Sequence, residues 1–261
     1  MKLQECIRGY IKNGKFFFTQ EEALAKTGLE PELFWVQAHR LVKRGSIKRL
    51  RSSFFMIIPD EYLNFGSLPT HWIIDSLMKY LGQSYYVGLL SAGAIYGATA
   101  QVPMTFQVIT NSQTREILLE RKRIEFYVSK NIALAQISRI TVPTGTVAIS
   151  TKEQTMIDLV RFYKVAGYLS NVASVVKRLA EEAKMPELAR VLKVEKNLSA
   201  IQRLGYILET TQFPRLAEVV ENELAKRSIR YVLLRPDYFV KTGEKAKRWK
   251  VILNDTLEVE E

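Results

Sequence analysis

The chain has 261 residues, 47% hydrophobic and 25% charged, with no low-complexity tract, so it is a folded protein of one large domain or two smaller ones. One cysteine, Cys6, excludes an intrachain disulfide framework. Two histidines far apart in sequence, His39 and His71, do not make a zinc site or a multi-histidine metal centre, so no metal and no cofactor is expected. A formal charge of +11 favours polyanionic partners, nucleic acid before an anionic membrane surface.

No run approaches the roughly 18 to 20 apolar residues of a membrane span. The N-terminus, MKLQECIRGYIKNGK, has no hydrophobic signal region. Both features point to the cytoplasm and to no membrane partner.

Leu3, Cys6, Ile7, Tyr10 and Ile11 form one apolar stripe at helical spacing, ended by Asn13-Gly14. Phe16-Phe17-Phe18 is a short extended run. Thr19 and Glu22 have the spacing of a capping box and open a second helix, which stops at Thr27-Gly28. A third helix starts near Pro31, runs to Arg44 and ends at Gly45. Ser46–Leu50 and Phe54–Ile58 are β-prone runs joined by Arg51-Ser52-Ser53 as a hairpin tip, and Pro59 closes the unit. Helix, short strand, helix, turn, helix, hairpin is the order of a winged helix-turn-helix.

From residue 70 the character changes. His71–Leu81 is an amphipathic helix, and Tyr86–Tyr96 reads as a buried helix with small residues for close packing. β-type segments follow at 105–110, 123–129, 139–143 and 146–150. Ser150 and Glu153 have capping-box spacing ahead of a helix bearing Met156, Leu159, Val160 and Tyr163 on one face. Helical segments at about 170–183, 186–193, 199–210 and 214–227 precede β-like runs at 230–234 and 247–253, and then an acidic tail with Glu258, Glu260 and Glu261. The fold class is α+β: an N-terminal winged helix-turn-helix (1–60), a connection (61–69) and a larger mixed α+β C-terminal domain (70–261).

Charge is concentrated where a winged helix meets a duplex. Arg40, Lys43, Arg44, Lys48, Arg49 and Arg51 lie within twelve residues that contain no acidic residue. At 100° per residue, with Phe34 at the core, Ala38, Leu41 and Val42 fall within about 80° of it. Val36, His39, Arg40 and Lys43 point away, as does Glu32, while Trp35 and Gln37 sit on the flanks. Arg40 is the best-placed guanine reader and Lys43 a phosphate contact, with Lys48, Arg49 and Arg51 as phosphate contacts from the wing. The DNA-binding set is therefore Val36, His39, Arg40, Lys43, Arg44, Lys48, Arg49 and Arg51. A solvated charged face beside a helical subdomain is the competing reading. A second basic cluster at 226–250 extends a nucleic-acid track or guards strand edges against aggregation.

Signals for catalysis are weak. The sequence has no phosphate-binding loop of the G-x-x-x-x-G-K-[ST] type, and Gly88–Gly97 reads as close helix packing. Asp75, Glu125, Glu153 and Asp158 are the carboxylates that could hold magnesium. Asp158 sits within an amphipathic helix and calls for a buried partner such as Arg203. No catalytic residue is assigned and the chain is read as a non-enzyme. The alternatives are a protein-interaction module and a nucleic-acid-processing enzyme in the C-terminal domain.

Residues 85–110 (YYVGLLSAGAIYGATAQVPMTFQVIT), 147–182 (VAISTKEQTMIDLVRFYKVAGYLSNVASVVKRLAEE), 201–209 (IQRLGYILE) and 248–254 (RWKVILN), in this order, resemble the AbiEi family of antitoxins. LVKRGSIKRLRSSFFMIIP at 41–59 is similar to that family's winged-helix segment. The resemblance implies an antitoxin of a type IV toxin–antitoxin system, linked to abortive phage infection. It implies repression of its own operon through inverted repeats of duplex DNA at the promoter. It further implies a nucleotidyltransferase-like toxin, countered through the C-terminal domain without a stable complex. One departure stands at Ile95-Tyr96-Gly97, where a Leu-His-Gly-like triplet is expected. Tyr96 can fill the same space and still donate a hydrogen bond.

Overall fold

The structure is a computed structural model describing residues 2–238 and 243–259. Lys241 of the second basic cluster, with Glu260 and Glu261 of the acidic tail, lies outside the described residues.

The chain opens with α1 (Leu3–Lys12), β1 (Phe17–Thr19), α2 (Gln20–Thr27), α3 (Pro31–Lys43), β2 (Ile47–Arg51) and β3 (Phe54–Ile57). The three strands form an antiparallel sheet in the order β1-β3-β2. With three helices and a two-stranded wing, this is a winged helix. Local chemistry sets its joints. Thr19 accepts from the Glu22 amide at 3.1 Å while Glu22 accepts from the Thr19 amide at 2.9 Å, closing the capping box of α2. Gly45, at φ +74°, takes the left-handed turn from α3 into β2.

β3 is buried along its whole length, which sequence alternation alone does not reveal. Successive strand residues face opposite ways. Phe55 and Ile57, with Phe18 and Ile47, pack under the helices against Phe34, Ala38 and Leu41. Phe54 and Met56, with Phe17 and Leu50, pack instead against Ile73, Ile74, Leu77 and Met78 beyond the connection. The wing sheet thus serves two cores at once.

A 3-10 turn at Asp60–Phe65 leads into α4 (Thr70–Leu81), β4 (Tyr85–Val87), α5 (Leu89–Ile95), β5 (Thr105–Thr110), β6 (Ile117–Leu118), β7 (Arg123–Val128), β8 (Ile137–Val142) and β9 (Gly145–Ser150). The six strands form one mixed sheet, β6-β7-β5-β4-β9-β8, with parallel β5–β7 and β4–β9 pairs and antiparallel contacts elsewhere. Val87, Val108, Val147 and Ile149 face α4 and the wing sheet. Tyr86, Ile109 and Ala148 face the second helical layer. That layer is α6 (Lys152–Arg161), α7 (Tyr168–Ala180), α8 (Met185–Val194), α9 (Leu198–Thr210) and α10 (Pro214–Leu224). A small sheet ends the chain, with β10 (Val232–Leu233) parallel to β12 (Val251–Leu253) and β11 (Glu244–Ala246) antiparallel to it. Trp249, in the turn before β12, is fully buried against α9.

Four sequence expectations are corrected here. Tyr86–Tyr96 is not one helix: Tyr86 and Val87 belong to the central strand β4, and only Leu89–Ile95 is helical. A buried strand carries apolar residues on both faces, so its periodicity cannot be told from that of a buried helix. The cap of α6 is Thr151, which accepts from Gln154, not Ser150 with Glu153. Buried Glu153 instead accepts from the Lys184 amide at 2.8 Å, across the helical layer. Residues 247–250 form a turn, leaving β12 only three residues. Val42 is 39% exposed, because at about 80° from Phe34 it stands at the margin of a stripe made by Phe34, Ala38 and Leu41.

Candidate nucleic-acid interface

α3 is held from behind. Phe34 stacks edge-on to Phe55 at 5.8 Å between ring centroids, and the Gln37 side chain accepts from the Leu3 amide at 2.9 Å. These contacts fix the helix rotation and so its outer face. Glu32, Val36, His39, Arg40, Lys43 and Arg44 are all exposed on it, as helical spacing predicts. Among the described residues Arg40, Lys43 and Arg44 make no ion pair, so their charge is uncommitted.

The wing is different. The Arg49 guanidinium lies 5.1 Å from the centroid of the Trp35 ring, a cation–π contact that ties the exposed wing strand to α3. Lys48 Nζ is 3.4 Å from the Glu120 carboxylate in the turn between β6 and β7. Arg51 donates to the Leu50 carbonyl at 3.2 Å and to the Arg115 carbonyl. Partial burial, and behind it the charge of Arg115, draws its guanidinium below the ordinary arginine value. The eight sequence-nominated residues therefore fall into two groups. α3 and Arg49 present open charge, whereas Lys48 and Arg51 are engaged with the larger domain. Sequence reasoning missed Glu120, which is 72 positions from its partner and carries no local signal.

In the second basic cluster most cations are also committed. Arg227 is within 2.7 Å of Glu223, Arg235 within 3.3 Å of Asp255, and Arg248 within 2.6 Å of both Glu209 and Glu221. The two Arg248 pairs tie the turn before β12 to α9 and α10.

The carboxylates weighed for magnesium are scattered. Asp75 pairs with Lys79 at 2.6 Å and accepts from the Tyr85 hydroxyl at 2.9 Å, and Glu125 is within 3.5 Å of Arg123. Among the described residues no three His, Cys, Asp or Glu side chains are grouped to hold a metal ion. Asp158, fully buried, accepts from the Tyr86 hydroxyl at 2.8 Å and from Arg161 at 3.2 Å, and Arg161 also reaches Glu195 at 3.3 Å. Complete burial lifts the Asp158 carboxyl to about 6, against the opposing pull of Arg161 and Tyr86. Arg203 is not its partner. The Arg203 guanidinium donates instead to the carbonyls of Leu233 and Leu234, at 2.9 to 3.1 Å. Arg161 stands one helical turn from Asp158 on α6 itself, and so reaches it first. Tyr96 donates to the Ser150 carbonyl at 2.7 Å, a bond between α5 and the end of β9.

The fold and the basic face define a class: a winged-helix protein in which the wing sheet packs on a mixed α+β domain. Residues 86–210 match the AbiEi antitoxin C-terminal domain, which supports a role on the antitoxin side of a toxin–antitoxin system. Among solved structures, the RV2827C protein from Mycobacterium tuberculosis aligns over 95% of this chain and 89% of its own, with TM-score 0.65 and 15% identity, and so shares the fold. An antigenic nucleotidyltransferase-like protein from Paracoccidioides brasiliensis covers 58% of this chain and 90% of its own, at TM-score 0.40 and 8% identity. No curated protein matches the chain. Among the described residues no helix is long and apolar enough to cross a membrane.

Proposed function

We propose that this antitoxin binds duplex DNA through α3 and the wing. Occupying inverted repeats at its own promoter, it represses its operon. The supporting observation is the outer face of α3: Arg40, Lys43 and Arg44 stand exposed and, among the described residues, without an ion pair, with Arg49 of the wing beside Trp35. In this reading Arg40 reads a base edge, and Val36 and His39 line the groove beside it. Lys43, Arg44 and Arg49 hold phosphates, and Lys48 and Arg51 join them only by leaving their present partners. The C-terminal domain counters a nucleotidyltransferase-like toxin without a stable complex, by binding rather than by catalysis, and the protein works in the cytoplasm. The domain limits proposed are 1–60, 61–69 and 70–261.

The test is fluorescence anisotropy of the purified protein with its own upstream DNA and with a scrambled duplex, across salt. Three phosphate contacts per protomer, doubled on an inverted repeat, give a log–log salt slope of about −5. Tighter binding to the upstream DNA with a slope of that size is the expected result. Equal, weak and salt-insensitive binding to both duplexes would overturn the reading and favour a protein-interaction module.

A further inference from the structure

An open cavity of about 470 Å³ lies where the connection meets the central sheet. Tyr62, Phe65 and Phe106 supply aromatic surface, Leu68 and Ile95 add aliphatic surface, and among the described residues no carboxylate lines it. Its polar side carries Arg121 and Lys122, from the turn between β6 and β7. Both are exposed, and neither is in an ion pair among the described residues. The volume suits a small organic molecule, for which sites of about 300 to 1,000 Å³ are usual. Apolar walls with two free cations on one side complement a molecule with an apolar body and an anionic end.

The structure assigns this cavity, we infer, to an aromatic organic anion: a flat ring against Tyr62, Phe65 and Phe106, with its phosphate or carboxylate at Arg121 and Lys122. Several features agree. Tyr62 is braced edge-on by Trp72, with ring centroids 5.6 Å apart, so one aromatic wall is preformed. Thr70 and His71, the first residues of α4, also line the cavity, and Pro69 before them supplies no side-chain cap. Burial first, and then the Lys122 charge, hold the His71 imidazole below its ordinary value. Both disfavour a positive charge on the ring, leaving the attraction to the turn.

The same turn carries Glu120, which pairs with Lys48 of the wing at 3.4 Å and lies against Gly66 of the connection. An anion at Arg121 and Lys122 therefore bears on the segment that holds the wing. That consequence rests on the DNA-binding reading, whereas the site itself is tested without DNA.

The probe is 1-anilinonaphthalene-8-sulfonate, an aromatic sulfonate that fluoresces when bound, titrated into the full chain. Saturable one-site binding is expected. R121Q/K122Q should weaken it at least tenfold, and V102E should do the same by placing a negative charge on the rim, where Val102 is 71% exposed. All three side chains are exposed, so the variants keep the fold, which thermal unfolding verifies. The uncharged analogue N-phenyl-1-naphthylamine should not distinguish the variants from the parent. Displacement of the dye by adenosine monophosphate points to a nucleotide, and displacement by phenylacetate to an aromatic carboxylic acid. Equal dye affinity in parent and R121Q/K122Q would overturn the proposal. So would displacement by inorganic phosphate alone as effective as that by adenosine monophosphate, since the apolar walls would then play no part.

Discussion

Glu120→Gln should turn the wing into a stronger DNA contact. The substitution keeps the size of a side chain that is 64% exposed, while removing the charge that holds Lys48 Nζ at 3.4 Å. An exposed pair of this kind contributes at most about 1 kcal/mol to stability, so the variant stays folded. Lys48 is then free to neutralise a phosphate. One added contact steepens log K against log salt by about 0.9, which relative to a 1 M reference is about eightfold tighter binding at 0.1 M salt. The assay is anisotropy on one duplex from about 50 to about 300 mM salt. Lys48→Gln alone should change little, and the double variant should return to the parent. Two results would refute the reasoning. An unchanged slope in Glu120→Gln would place the wing away from the backbone. An eightfold loss in Lys48→Gln alone would mean that Lys48 already holds a phosphate despite Glu120.

Arg40→Ala should cost about 1–3 kcal/mol of DNA binding and relax preference at one base position, and equal loss on every sequence would demote Arg40 to a phosphate contact. Asp158→Asn should alter stability in a pH-dependent way. With the folded carboxyl raised to about 6 from 3.8, its contribution is fully present below 3.8 and lost as pH rises through 6. The asparagine variant should therefore gain on the parent by roughly 3 kcal/mol between pH 3 and pH 7 in denaturant titrations, and a constant difference across that range would place the Asp158 pKa at its unfolded value. Gly205→Ala puts a methyl carbon 2.2 Å from Cζ3 of Trp249, whose indole is fixed at 2.7 Å from Glu209. Overpacking there should lower unfolding stability by about 1–3 kcal/mol, and parent-like stability would show that the indole can move aside.

The sequence by itself determined the winged-helix order, because each joint is local chemistry: the Thr19–Glu22 capping box, Pro31 opening α3 and Gly45 ending it. It also determined which residues α3 turns outward, since helical angle follows from spacing alone. Tertiary structure decided what each outward charge is free to do. Lys48 and Arg51 read as equals of Lys43 in sequence, yet both are engaged by a turn and a loop more than sixty residues away. The partner of Asp158 is Arg161, one turn along the same helix, because Arg203 is drawn to the carbonyls of the last sheet. β4 reads as helix because it is buried on both sides, and only the neighbouring strands β5 and β9 give its backbone the partners that make it a strand. Local signals reach a few residues along the chain. Charge pairing, burial on two faces and the cavity beside the connection depend on which distant segments the hydrophobic cores bring together.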